Sequence, residues 1–149
     1  MISVKKCGVE AIPVIHALAH AIWPISYKNI ITPEQISYML NMMYSPQSLK
    51  EQILEKKHQF IIAFENDIPV GYSSYSIKKE KEKNIYRLYK LYVAVDHQRK
   101  GIASTLLKYI IADIQPAGAK AIQLNVNRHN PSVLFYKASG FTVWQEEIL

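Results

Sequence analysis

One cysteine stands in the 149 residues. Cys7 therefore makes no internal disulfide, and no Cys/His cluster has the spacing of a zinc site. No apolar run approaches the roughly 20 residues that a bilayer crossing needs. The opening Met1-Ile2-Ser3-Val4-Lys5-Lys6-Cys7 lacks the long apolar stretch of a signal peptide and reads as a first strand. Repeats, low-complexity tracts and linkers are absent too, which leaves one domain over residues 1–149. The economical expectation is a cytoplasmic, metal-free protein with no membrane partner.

What is present is an ordinary globular balance, with 49% hydrophobic and 20% charged residues. The formal net charge is +6 and the pI about 9.3. A basic balance suits nucleic acid, an anionic membrane or a phosphate-rich ligand. Much of the charge is mixed with its opposite. Lys78-Lys79-Glu80-Lys81-Glu82-Lys83 alternates in sign, the mark of a solvated hairpin tip. The other basic residues are scattered along the chain, which argues against a nucleic-acid partner.

Periodicity gives the elements. Val9 to Trp23 carries Ile12, Ile15, Ala19 and Ile22 at helical spacing, with Pro24 as the expected stop. Thr32-Pro33-Glu34-Gln35 opens a second helix, Thr32 as cap and Pro33 in the first turn. Ser48 to Lys57 is a third helical stretch. The period then changes. Gln59 to Phe64, the turn Glu65-Asn66-Asp67, and Pro69 to Ile77 form a β-hairpin. Ile85 to Val95 is a long strand, with Tyr86, Leu88, Lys90, Tyr92 and Ala94 on one side and Arg87, Tyr89, Leu91, Val93 and Val95 on the other. Gly101 to Ile114 is an amphipathic helix with Ile102, Leu106, Ile110 and Ile114 along one face. Lys120 to Asn127 is a strand, Pro131 to Ala138 a helix and Gly140 to Trp144 a last strand. The class is α/β, with the later helices as crossovers.

The chemistry sits in Leu91-Tyr92-Val93-Ala94-Val95-Asp96-His97-Gln98-Arg99-Lys100-Gly101-Ile102-Ala103-Ser104. A strand runs into a short loop, and the loop opens an amphipathic helix. The first N–H groups of a helix have no internal partners and lie at the positive end of its dipole. A loop over that end makes a nest for phosphate oxygens. Gly101 lets the backbone approach closely and Ala103 is small, while Arg99 and Lys100 add positive charge. An ordinary β-α turn with a glycine is the bland alternative for this segment taken alone.

A second segment changes the balance. Leu124 to Phe141 reads L-N-V-N-R-H-N-P-S-V-L-F-Y-K-A-S-G-F. Together the two segments resemble the GNAT superfamily of N-acetyltransferases, and more loosely its small bacterial members that acetylate polyamines or other small amines. Gln98, Gly101 and Ala103 match the acetyl-CoA pyrophosphate motif. Asn130, Tyr136, Gly140 and Phe141 match the later strand, Asn, helix, Tyr and Gly-Phe. Gly71 in the hairpin also fits, and the resemblance covers about residues 58 to 144. It implies a mixed, mostly antiparallel sheet with flanking helices, its last strand lacking or altered. It implies acetyl-CoA as acetyl donor, with no metal. Backbone groups of Leu91, Tyr92 and Val93 would bond the pantetheine arm, and N–H groups from Arg99 through Lys100, Gly101, Ile102 and Ala103 to Ser104 would hold the pyrophosphate. Asn130 would contact the cofactor near the pantetheine, and Tyr136 would place its hydroxyl by the sulfur.

Acetyl transfer to an amine needs a neutral amine, donors for the oxyanion and a proton for the leaving thiolate. Tyr136 fits the last role as general acid. Glu34, Glu65, Asp96 and His97 are candidate bases, as is a water chain. His97 beside a basic loop reads more simply as a structural residue. Cys7 reads as a buried apolar residue without an activating neighbour. Acceptor choice is expected from the aromatic and methionine-rich Trp23-Pro24-Ile25-Ser26-Tyr27, Tyr38, Met39, Met42, Met43 and Tyr44, where core packing is the competing reading. The expected reaction is transfer to a primary amine of a small molecule, a polyamine among the possibilities, by direct attack in a ternary complex. The alternatives are a non-catalytic acetyl-CoA-binding module and a peptide N-terminal acetyltransferase.

The pattern departs from the family in places. Only Thr142 to Leu149 follow Phe141, enough for one strand where the family has two. An uncovered sheet edge invites association, so a homodimer or local disorder near the C-terminus is expected. Val133 stands where the family often has Ala. Asn130 and Tyr136 are one residue closer than in many members, which turns Tyr136 about 100° around its helix unless the helix start compensates.

Overall fold

A computed structural model of the chain describes residues 1–78, 84–126 and 130–143. The chain opens with β1 (Ile2–Cys7) and a 3-10 turn at Val9–Ala11, then runs through α1 (Ile12–Ser26), α2 (Pro33–Tyr44) and α3 (Pro46–Leu54). The hairpin β2 (Gln59–Glu65) and β3 (Ile68–Ile77) and the long β4 (Ile85–Val93) follow, then α4 (Ile102–Ile114), β5 (Ala121–Gln123) and α5 (Ser132–Ala138). The strands lie in chain order in one sheet, antiparallel from β1 to β4, with β5 parallel to β4.

Helices cover both faces, and strand alternation divides the core between them. Phe60 and Ile62 of β2 and Tyr72 of β3 pack under α1, α2 and α3 against Ile15, Ile22, Trp23, Leu40, Tyr44 and Leu49. Ile61 and Ala63 point the other way, with Val70, Tyr75 and Leu88, against Ile102, Leu106 and Ile110 of α4. The spacing read for α4 is therefore its buried stripe. Tyr75 donates to Asp113 at 2.7 Å and Lys6 pairs with the same carboxylate at 2.7 Å, tying α4 to β3 and β1.

The local signals act as read in α2 and the hairpin. Gln35 N–H donates to Thr32 Oγ1 and Thr32 N–H to Gln35 Oε1, both at 3.1 Å, closing a capping box. Asn66 and Asp67 take φ of 50° and 70°, the positive pair that a tight hairpin turn requires. The expected hairpin tip falls on residues 79–83, outside the described residues.

Several boundaries differ. Pro24 lies inside α1, which runs on to Ser26. Proline removes one backbone bond, but the final turn is closed by Tyr27 N–H donating to Trp23 O at 3.0 Å. The segment Val9–Ser26 is long and apolar enough by composition to cross a membrane, with mean hydropathy 1.3 over 18 residues, contrary to expectation. Here Ile15, Leu18, Ala19, Ile22 and Trp23 of that run are buried in the fold. The third helix starts earlier, at Pro46, because Ser45 Oγ accepts from Ser48 N–H at 3.2 Å and caps it. β4 stops at Val93, since Val95–His97 forms a 3-10 turn. The strand expected from Lys120 to Asn127 is paired only over Ala121–Gln123, Asn127 lying outside the described residues. Of the strand expected from Gly140, the described part ends at Val143 and pairs with no described strand. Trp144 to Leu149, with the expected sheet edge, lie outside the described residues.

The alternation of β4 also breaks. Ser74 pairs with Lys90 but Tyr75 with Leu88, so Tyr89 is an extra residue. Such a bulge bends its strand and reverses side-chain parity. Tyr86 and Leu88 consequently face α4, together with Leu91 and Val93, while Tyr92 and Ala94 face α1.

Candidate active site

The site begins where β4 and β5 part. Their parallel pairing covers Ile85–Ala121, Tyr86–Ile122 and Arg87–Gln123. β4 then continues to Val93, past the Tyr89 bulge, whereas Leu124 to Val126 join no strand. The gap is a cleft of about 270 Å³ lined by Leu88 to Tyr92, Leu124 to Val126, Asn130, Ser132, Tyr136 and Tyr27. A larger, more open depression of about 450 Å³, bounded by Lys56, Lys57, Tyr75, Tyr86 and Asp113, lies toward the start of β4, away from the motif residues.

Backbone geometry sets what β4 offers the cleft. Ala94 N–H donates to Val70 O of β3 at 2.8 Å. Alternation along a strand then turns the N–H and C=O groups of Tyr92 toward β3 and those of Leu91 and Val93 toward the cleft. Tyr92 contributes its phenol instead. Gly71 makes the close β3–β4 contact possible, because a Cβ there would lie 2.9 Å from Tyr92 O.

Tyr136 is held by the way α5 ends. Gly140 has φ of 102°. Gly140 N–H donates to Lys137 O at 3.1 Å and Phe141 N–H to Tyr136 O at 3.0 Å, a Schellman closure. The Phe141 ring then packs edge-on to Tyr136 at 5.6 Å. The Tyr…Gly-Phe pattern is thus one device that fixes Tyr136 in the cleft wall. Burial, then the nearby Tyr27, pushes the Tyr136 phenol up to about 12. It therefore keeps its proton at neutral pH. Asn130 lines the same cleft, its Oδ1 accepting from Ser132 N–H at 2.8 Å. That turn starts α5 at Ser132, one residue later than expected, and brings Tyr136 into the cleft despite the short spacing.

The loop after β4 leads to α4. Arg99 and Gly101 both have positive φ, 66° and 78°. Gly101 is the N-cap and makes no side-chain cap bond to the first turn of α4. In α2 and α3, Thr32 and Ser45 fill that role. A Cβ at Gly101 would meet nothing within 4 Å, so the space before the free N–H groups of Ile102, Ala103 and Ser104 is open at this point. An uncapped helix start with open space beside basic residues fits a pyrophosphate. Gln98 turns back, its Nε2 donating to Val93 O at 3.2 Å, and braces the loop against the strand. Lys100 Nζ bonds Glu65 Oε1 at 3.0 Å, and His97 Nδ1 lies 2.9 Å from the same oxygen. Lys100 first and His97 second hold the Glu65 carboxyl below its usual range.

The four base candidates do not meet in the cleft. Glu34 and Asp96 are exposed, and Glu65 and His97 brace the loop. Cys7 is half-buried, its thiol pushed up to about 12 by burial, as expected of an inert residue. Of the aromatic segment, Trp23 and Tyr44 are core, Tyr38 is 65% exposed and Tyr27 reaches the cleft. The sequence reading missed Asn125 and Ser132 as lining residues. It also missed the Tyr27–Tyr92 hydroxyl pair, 3.0 Å apart. The one signal available was the bulge, visible as Leu88 and Leu91 at a spacing that strict alternation forbids.

The model of the Acetyltransferase (GNAT) domain matches residues 27–149. The spermidine N(1)-acetyltransferase of Thermoplasma acidophilum is 25% identical over 147 residues, 95% of this chain and 89% of that protein. An uncharacterized N-acetyltransferase of Bacillus subtilis is 27% identical over 139 residues, 93% of this chain and 79% of its own. The crystal structure of PaiA N-acetyltransferase from Thermoplasma acidophilum in complex with coenzyme A superposes with a TM-score of 0.89 at 24% identity, covering 99% of this chain and 93% of that one.

Proposed function

Since the chain belongs to the GNAT acetyltransferase family and is thus an acetyl-CoA-dependent N-acetyltransferase, we propose that its acceptor is a primary amine of a small molecule, with spermidine the first to test. The observation that carries this reading is the cleft at the parting of β4 and β5, where a protonated Tyr136 and the stretch of β4 beyond its pairing with β5 line one space. Spermidine comes first because the Thermoplasma acidophilum relative carries that name.

The donor supplies an acyl group already activated as a thioester. The residues of this chain do the rest. The N–H groups at the start of α4 hold the pyrophosphate. Leu91 and Val93 align the pantetheine arm as an extra strand beside β4, and Asn125 and Asn130 border its path. A cleft-facing N–H of β4 donates to the carbonyl oxygen as negative charge develops there. The amine attacks directly, the C–N bond forms, the C–S bond breaks, and Tyr136 gives its proton to the departing sulfur.

Tyr136→Phe tests the reading. The phenol supplies a proton and no essential packing beyond its ring. The expected result is a fall in kcat of about 100-fold, the low end for a lost general acid, with the dissociation constant for acetyl-CoA retained. Unchanged turnover with spermidine would remove Tyr136 from the chemistry.

A further inference from the structure

Converting an ammonium to an amide strips two protons from nitrogen. One ends on the sulfur and one in solvent. The carboxylates that the sequence offers for this work lie elsewhere, Glu34 and Asp96 exposed and Glu65 bound to Lys100 and His97. The cleft that holds Tyr136 is lined by three further tyrosines, Tyr27, Tyr89 and Tyr92. Tyr89 stacks on His58 at 4.0 Å and its hydroxyl accepts from Ser76 Oγ at 3.1 Å, which leaves Tyr27 and Tyr92 as a pair.

Their placement is specific. Tyr92 faces α1 because of the bulge at Tyr89, and its ring is enclosed by Tyr72 at 5.5 Å and Trp23 at 5.6 Å. Tyr27 is the C-cap residue of α1, packed on Trp23 at 4.5 Å. One indole thus fixes both rings, and the hydroxyl oxygens stand 3.0 Å apart. Burial first, with Tyr44, Tyr27 and Tyr136 adding to it, holds the Tyr92 phenol well above its ordinary range, so it is neutral. A neutral phenol donates one hydrogen bond and accepts another at the same oxygen. Both residues are partly exposed, and Tyr27 at the end of α1 gives the pair an outlet to water.

We propose that the Tyr27–Tyr92 pair is the proton path on the acceptor side: Tyr92 accepts from the attacking nitrogen and Tyr27 hands the proton to solvent. The proposal rests on the N-acetyltransferase reading above. In each relay event a nitrogen proton moves to the Tyr92 oxygen, the Tyr92 proton to Tyr27, and the Tyr27 proton to water, which leaves both phenols unchanged. Two such events clear the nitrogen. Tyr136 protonates the sulfur and is reprotonated from solvent, so one proton is released per turnover. Tyr92 touches the substrate and is catalytic; Tyr27 acts through it as a positioning and relay residue.

The test uses the full chain with spermidine and n-butylamine as acceptors, reading CoA release for Tyr27→Phe, Tyr92→Phe and the double variant. Each single variant is expected to lose about 100-fold in kcat, the low end for a lost proton-transfer group. The double variant should lose no more than the worse single one, because either break interrupts the same path. Acetyl-CoA affinity and the unfolding midpoint should stay at wild-type values, which a packing role would not leave alone. The solvent deuterium isotope effect on kcat should change in Tyr27→Phe. Wild-type turnover in the single variants, or losses that multiply in the double, would overturn the relay while leaving the transferase reading intact. A folded wild type that binds acetyl-CoA yet acetylates neither amine would overturn the small-amine reading and the relay with it. Should Tyr92→Phe fail to fold, Tyr27→Phe carries the test alone.

Discussion

Lys90 shows how much a single residue can conceal. Its sequence position on β4 reads as one polar residue in an alternating strand, yet the side chain is 5% exposed. The amine donates to Gln52 Oε1 at 2.7 Å and lies over the rings of Phe60 and Tyr44 at 5.5 and 5.7 Å. Burial, then the charge of Lys56, pulls the amine down to about 8 from 10.5. Between those values the unfolded state holds more proton on this amine than the folded state, so the contribution of Lys90 to stability rises as pH climbs from 8 toward 10.5. The gain is on the order of a few kcal/mol. Urea midpoints of the wild type and Lys90→Met across that window check it: the wild type should gain on the variant as pH rises, and parallel curves would refute the burial effect. Tyr136 and Gly101, by contrast, were legible from sequence because each belongs to a local pattern. Tyr27 and Lys90 act through partners far along the chain, and no local spacing reports them.

At the level of elements, periodic helices read well and strand boundaries less so. The stripe Ile102, Leu106, Ile110 and Ile114 is buried as its spacing requires. β4 misled because alternation assumes an uninterrupted pleat, and the bulge at Tyr89 reverses parity halfway along. That irregularity shapes the cleft: it bends β4 beside the gap and leaves Tyr92 on the α1 side. The adjacent β3 must then approach closely, which Gly71 allows. A methyl there would press on a backbone oxygen at 2.9 Å rather than on a flexible side chain. Gly71→Ala should therefore cost about 1–3 kcal/mol, as overpacking does, seen as a lower denaturation midpoint with unchanged m-value. A variant as stable as wild type would mean that the β3–β4 contact yields more easily than its geometry implies.

Across the whole molecule, one sheet with helices on both faces separates two tasks. The α4 face holds the basic loop and the uncapped helix start, and the α1 face holds the Tyr27–Tyr92 pair. The cleft between β4 and β5 joins them. Sequence order and hydrophobic period made the α/β class and most elements legible, and the resemblance carried by the two motif segments implied the mixed, mostly antiparallel sheet. That two strands part beside Leu91 to Val93 was implied by the same resemblance, but the register that ends their pairing at Arg87–Gln123 depends on contacts between distant strands and was not legible. The expectation of self-association rests on Thr142 to Leu149, of which 144–149 lie outside the described residues. Part of the basic net charge gathers at the α4 start, where Arg99 and Lys100 precede the helix and Lys100 pairs with Glu65.

Calorimetric titration with acetyl-CoA, run on the wild type and on Gly101→Glu, tests the donor site most directly. The glutamate would put a carboxylate in the open space before the first turn of α4, where anion binding is proposed. The expected result is saturable, micromolar binding by the wild type and a loss of about tenfold or more in a folded variant, since each 1.4 kcal/mol of lost interaction is a factor of ten. Equal affinity in the two proteins, or no binding by a folded wild type, would contradict the assignment of this loop to the donor.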